Sequence, residues 1–185
     1  MMQMKKLLIT SIFLLGLFVG SFLNVVADRS CRGEGFFTGR SHCEFCNTLL
    51  KAIDLVPVLS FLSTFGKCRY CQKKLSISYP LSEIFTGLMF VLALSLSNYA
   101  VAPSAATLGK LVFLLVIFSS YIIIFLADLK YQLIPDLAVI PSIILVLIVT
   151  FFTVPFSDFS AHLISALLLT LFFWSLYFFT KGKGM

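Results

Sequence analysis

Five apolar runs, each close to the roughly 20 residues that a helix needs to cross a bilayer core, commit this chain to a membrane fold. They lie at Leu7 to Ala27, Tyr79 to Ser97, Leu108 to Ala127, Leu137 to Val154 and Ala161 to Thr180. A soluble domain is excluded on composition, because 59% of the 185 residues are apolar, 21 are Phe and only 12% are charged. The sequence therefore reads as an all-α polytopic membrane protein with about five transmembrane helices. Residues 1–27 form the first of them, 28–78 a cysteine-rich loop domain between helices 1 and 2, and 79–185 a helical membrane domain.

Basic residues set the expected orientation, since short loops rich in Lys and Arg stay on the cytoplasmic side. Eight of the 14 fall in the Asp28 to Ser78 loop. If that loop is inside, alternation also places Lys130, Lys181 and Lys183 inside and leaves Lys5, Lys6 and Lys110 outside. The net charge of +6 then sits on a surface facing anionic lipid head groups. Nucleic acid is not an expected partner, for want of a binding motif or a basic helix with interleaved aromatics. A second reading of the first run, as a signal peptide, rests on Lys5-Lys6 and the small-residue stretch Val25-Val26-Ala27. Against it, the run is long for a signal core. Moreover, Gly16, Gly20, Asn24 and Asp28 recur every four residues on one helix face, a spacing that lets membrane helices approach closely.

The loop carries Cys43-x2-Cys46 and Cys68-x2-Cys71. In a reducing compartment, paired thiols are more often metal ligands than disulfides. The pairs stand 21 residues apart, slightly beyond the usual spacing of about 15 to 20 in ribbon-type zinc sites. Two such turns complete a tetrahedral four-thiolate shell with no open position, so a structural zinc is expected. Lys51, Lys67, Arg69, Lys73 and Lys74 would offset its negative charge. A loop of about 50 residues is too small to hold a core unaided, and metal binding would supply folding energy. Thiol redox chemistry and unbound cysteines remain the alternatives. Cys31 is left over, and His42 reads as a neighbour of the cluster rather than a ligand. The stretch from Leu55 to Leu62 is apolar enough to lie on the bilayer or to pack beneath the cysteines.

Two aspartates flank the link after the third run. Asp136 follows Pro135, an ordinary helix start where a negative charge meets the positive dipole end. Asp128 ends the third helix, where the dipole disfavours an anion and the surroundings are apolar. That setting suits a carboxyl for acid–base work, while a surface pair with Lys130 is the plain alternative. Asp158 falls in the outer link Pro155 to Ser160.

Gly20-Ser21-Phe22-Leu23-Asn24-Val25-Val26, the two Cys-x2-Cys pairs, Pro57-Val58-Leu59-Ser60-Phe61-Leu62, Tyr79-Pro80-Leu81-Ser82-Glu83 and Asp128 through Pro135-Asp136 together resemble the type IV prepilin leader peptidase / N-methyltransferase family. The resemblance spans nearly the whole chain. It implies a multi-pass protein of the bacterial inner membrane, with its Cys-rich loop cytoplasmic. It implies an aspartic endopeptidase that cleaves the leader peptides of prepilins or pseudopilins at the cytoplasmic face, and N-methylation of the new N-terminus from S-adenosylmethionine. On this reading Asp128 is the first catalytic aspartate, and Cys43, Cys46, Cys68 and Cys71 hold zinc. Glu83 and Asn24 match motif positions without an assigned role, and the plain reading of Glu83 is a first-turn carboxylate near Pro80. The family's second catalytic aspartate lies in a Gly-x-Gly-Asp motif. Lys181-Gly182-Lys183-Gly184-Met185 resembles the approach to that motif, and no aspartate follows. The leading expectation is therefore an incomplete peptidase. The alternatives are a dyad built from two copies and a non-catalytic, zinc-bearing membrane module that binds pilin precursors or partners.

Overall fold

A computed structural model describes residues 2–35 and 39–180 of the chain, so Lys181, Lys183 and the glycines beside them lie outside the described residues. Among the described residues the architecture is all-helical, with two isolated β-bridges and no strand. Five helices are long and apolar enough to cross a membrane, as the five runs predict. Helix α1 covers Met2–Arg32, the five-residue α2 Leu59–Ser63, α3 Ser78–Ser97, α4 Ala105–Tyr131, α5 Asp136–Thr153 and α6 Phe156–Thr180. Local chemistry sets several of these boundaries. Helix α1 stops where Gly33, at φ +69°, turns left-handed and lets the Glu34 N–H donate back to the Arg29 carbonyl at 2.9 Å. Ser104 caps α4, its hydroxyl accepting from the Thr107 N–H at 3.2 Å while Thr107 Oγ1 accepts from the Ser104 N–H at 2.9 Å. Gln132, at φ +53°, ends α4 with its N–H on the Asp128 carbonyl at 2.9 Å. Pro135 precedes α5 and Asp136 is its first residue, as expected of that dipeptide. Helix α6 begins at Phe156, earlier than the apolar run indicates, because Asp158 and its polar neighbours form its first turn.

The chain forms two compact units, residues 1–142 and 143–185. In the first, α1, α3 and α4 pack against one another. The glycine face of α1 is what lies on α3: a Cβ on Gly16 would stand 2.6 Å from Gly87 Cα, and one on Gly20 would stand 2.9 Å from Glu83 Cα. Backbones that close exchange dispersion contacts and leave no room for side chains. One turn further along the same face, Asn24 Nδ2 donates to Ser82 Oγ at 2.7 Å. Leu23 and Ala27 of α1 meet Ile122 and Leu126 of α4, whereas Ala93 and Leu94 of α3 meet Leu111 of α4. Helix α1 runs unbroken through Val25, Val26 and Ala27, with Ala27 fully buried. In the second unit, the Phe151 and Phe159 rings pack edge to face at 5.5 Å, and most large side chains of α6 are exposed, as lipid-facing residues are.

Replacing Gly16 with Ala should drive α1 off the Gly87 backbone and cost about 1–3 kcal/mol, read as a lower unfolding temperature in detergent. Gly109→Ala, at a helical glycine with nothing within 4 Å, should leave that temperature unchanged or raise it slightly. Equal effects of the two substitutions would refute the close-approach account.

Candidate functional site

The two Cys-x2-Cys pairs sit on two turns of the same construction. In the first, the Cys43 N–H donates to the Thr48 carbonyl at 3.0 Å, Asn47 N–H to the Cys43 carbonyl at 2.9 Å, and Leu50 N–H to the Ser41 carbonyl at 2.9 Å. In the second, Cys68 N–H reaches the Lys73 carbonyl at 2.8 Å, Gln72 N–H the Cys68 carbonyl at 2.9 Å, and Leu75 N–H the Gly66 carbonyl at 2.8 Å. Asn47 and Gln72 hold the same left-handed position, φ +54° and +58°. Each turn thus presents two thiols toward the other, and all four Sγ atoms lie within 4.8 Å of one another. The Cys43–Cys71 sulfur separation is 3.9 Å. A tetrahedral shell with metal–sulfur bonds of about 2.3 Å has edges of about 3.8 Å, so the cluster can hold a metal ion. Cys31 is not part of it, and the exposed His42 is not either.

The thiols are unequal. The Thr48 hydroxyl and N–H both favour the Cys46 thiolate and lower its pKa to about 6. The Lys73 N–H favours the Cys71 thiolate, but burial and the neighbouring thiols outweigh it and push that group up to about 11. Four thiols this close cannot all ionise unaided, and a central cation reverses that balance. Asp54 ties the second turn to the 3₁₀ turn Ala52–Leu55. It accepts from Tyr70 Oη at 2.8 Å and from the Lys51 N–H at 3.0 Å, with Arg69 Nε 2.8 Å away. Burial opposes its charge, and these donors together still hold its carboxyl below the usual range.

A polar network joins this region to the helices. Asp28 of α1 is buried and accepts from Lys130 Nζ at 2.9 and 3.2 Å and from Tyr131 Oη at 3.2 Å, both at the end of α4. Lys130 therefore pairs with Asp28 and not with Asp128, and it also lies over the Tyr79 ring at 4.6 Å. Arg32 donates to Tyr131 Oη at 3.2 Å and to Glu44, the residue after Cys43. Sequence reasoning assigned no partner to Asp28. Its signal was its place on the glycine face of α1, where a carboxylate must find a cation or a donor once that face is covered.

Glu83 corrects an expectation. Helix α3 begins at Ser78, so Glu83 lies beyond its first turn, and its side chain is not spent on the helix start. It is buried, and its Oε2 accepts from the Val58 N–H at 2.7 Å. Val58 has φ +60°, rare for a β-branched residue, and centres a tight turn in which Leu59 N–H returns to the Pro57 carbonyl at 2.5 Å. The buried carboxylate holds that strained turn in place.

Between the cysteine turns, α1 and α3 lies a cavity of about 500 Å³. Ser21, Asn24, Asp28, Tyr79 and Glu83 line one side, Cys43, Cys68 and Phe61 another. Asn24 is 2% exposed, and although its Nδ2 is paired its Oδ1 has no hydrogen-bond partner among the described residues. Carboxylates share the wall with the basic side chains of Arg29, Arg32, Lys67, Arg69 and Lys74, a surface for a polar ligand that carries both donors and acceptors. Asp128 and Asp136 do not line this cavity; both are exposed, at the end of α4 and the start of α5. Among the described residues no hydrogen bond or ion pair reaches the Asp128 carboxylate.

Residues 14–96, which contain the later part of α1, the cysteine turns and most of α3, match the model of the Bacterial Peptidase A24 N-terminal domain. The chain is 36% identical over 136 residues to the prepilin leader peptidase/N-methyltransferase of Klebsiella pneumoniae, covering 70% of this chain and 56% of that protein. The protein of the same name from Bacillus subtilis is 31% identical over 129 residues, 70% of this chain and 49% of its own length. The Myxococcus xanthus protein is 38% identical over 103 residues, 55% of this chain and 31% of its own length. The chain thus spans from about a third to a little over half of these curated relatives. No solved structure matches it. The match to the Klebsiella pneumoniae and Bacillus subtilis proteins extends over 70% of a chain with five membrane-length helices, and the chain belongs to the prepilin leader peptidase/N-methyltransferase family as a multi-pass membrane protein.

Proposed function

We propose that this chain forms part of an aspartic endopeptidase that removes leader peptides from prepilins or pseudopilins at the cytoplasmic face of the bacterial inner membrane. The reading is carried by one observation: an open cavity lined by charged side chains of both signs stands at the boundary between a membrane helix pair and a four-thiol clasp. The relatives named above support it. Placing the cysteine turns in the cytoplasm rests on the Lys and Arg of the loop. Asp128, at the same end of α4 as Lys130 and Tyr131, supplies one catalytic carboxyl. Aspartic hydrolysis needs two carboxyls sharing a proton, one activating water and one polarising the scissile carbonyl. The second comes from a segment other than those described. A substrate whose own apolar helix lies in the bilayer delivers its peptide bond at this depth.

Zinc is the ion we assign to Cys43, Cys46, Cys68 and Cys71. All positions of the shell are filled by protein, so its contribution is to fold the turns rather than to react. Methyl transfer fits the cavity. Its volume suits a small organic cofactor, and Asn24 Oδ1 and Glu83 would meet the amine of S-adenosylmethionine. When bound, that cofactor supplies an electrophilic methyl group. The residues of this chain would orient it and the incoming N-terminal amine.

Purified protein should contain about one zinc per chain, with Cys43→Ser or Cys68→Ser losing the metal and Cys31→Ser keeping it. Metal retained in both cluster variants would refute the assignment. The 185 residues alone should bind a prepilin without cutting it. Extension by the carboxy-terminal part of the Klebsiella pneumoniae relative should restore cleavage, and Asp128→Asn should then reduce it by at least about 10³-fold. Undiminished cleavage by that variant would remove Asp128 from the chemistry. In a titration with S-adenosylmethionine, the unmodified chain should bind, and Asn24→Leu or Glu83→Gln should weaken binding about tenfold, equal to about 1.4 kcal/mol. Absence of binding by the unmodified chain would place the methyl donor elsewhere.

A further inference from the structure

We infer that the segment from Ile53 to Phe65, with α2 at its centre, is a membrane-seated element whose apolar face enters the cytoplasmic leaflet of the bilayer. Depth is the first observation. Glu83 lies five residues into α3, about 7.5 Å along the axis from Ser78, inside a segment long and apolar enough to span the membrane. The Val58 N–H reaches its carboxylate at 2.7 Å. The turn at Val58 is thus held level with the outward-facing Leu81 and Ile84 of α3, where the exterior of a membrane helix is lipid.

Exposure is the second. Helix α2 starts one residue after that turn. Leu59 and Leu62 share its outer face at 64% and 61% exposure, and Phe65 follows at 90%. Ile53 and Leu55 of the preceding 3₁₀ turn are exposed as well. Phe61 points the other way, its ring packed over Gly66 and lining the cavity. Five residues of helix are far too few to be stable in water by themselves, and water-facing surfaces rarely gather so many large apolar side chains. Charge is the third. Lys51 and Lys67, both exposed, bracket the apolar segment and suit the anionic head groups of the cytoplasmic leaflet. This element would also form a lipid-side wall for the cavity, since Leu55, Ser60, Phe61 and Thr64 line it. The inference does not depend on which reaction the cavity serves.

The chain has a single Trp, Trp174, so Trp174→Phe clears the background for a reporter. Leu62→Trp and Lys73→Trp would each be placed in that background and reconstituted in phosphatidylethanolamine/phosphatidylglycerol vesicles with brominated acyl chains. A residue seated in the leaflet should lose about half its emission to the brominated lipid and resist aqueous iodide, while Trp at position 73 should show the reverse. If Leu62→Trp fails to give a monodisperse helical protein, Leu59→Trp reports the same face. Quenching of the reporter by iodide and not by bromine would overturn the inference. Protection from both quenchers would do so too, because the face would then be covered by protein.

Discussion

A carboxylate inside a helix packed in lipid has to be given a donor, and the rest of the loop domain takes its position from how Glu83 meets that demand. Ser21 of α1 supplies one donor, and the other is a backbone N–H in a segment that arrives from another part of the chain, presented by the positive φ of Val58. The hydrogen bond between them offsets part of both the strain at Val58 and the burial of Glu83. Gly20 lies directly against the Glu83 backbone, so the contact that brings α1 onto α3 also shields the carboxylate from lipid. Glycine packing, the buried acid and the strained turn form one unit, and each part is explained by the other two.

A second set of charges does similar work at the far edge of the same region. Asp28, Lys130, Tyr131, Arg32 and Glu44 connect the end of α1, the end of α4 and the first cysteine turn in an unbroken run of hydrogen bonds and ion pairs. Charges in such a place are costly unless every one is paired. Here each serves a neighbour, and the run holds the end of α4, with Asp128, in register with the cysteine turns. Position, rather than any one group, is what this part of the molecule provides for chemistry.

How much of this was legible beforehand depended on the range of the signal. The five spans, the four cysteines, the Pro135-Asp136 helix start and the glycine face of α1 are local patterns, each set by a spacing of a few residues, and the structure reproduces them. The pairing of Lys130 with Asp28 was not legible. Those residues are far apart in sequence, while Asp128 lies two residues from Lys130, and local reading favours the near partner. Glu83 was misread for the same reason, because proximity to Pro80 is visible in the chain and contact with Val58 is not. The orphaned Asn24 Oδ1 and the cavity it faces have no sequence signature at all; only the placement of α1 against α3 and the loop creates them.

The shared design of the two cysteine turns has a consequence for the unfolded chain. Each turn is a self-contained hairpin that can form from its own residues, so little remains to be ordered except their meeting. A metal ion bound by both turns would make the 21 residues between Cys46 and Cys68 a closed loop. By analogy with a disulfide, a cross-link around a loop of that size removes about 3 kcal/mol of denatured-state entropy. The exposed apolar segment from Ile53 to Phe65 would then be tethered at both ends.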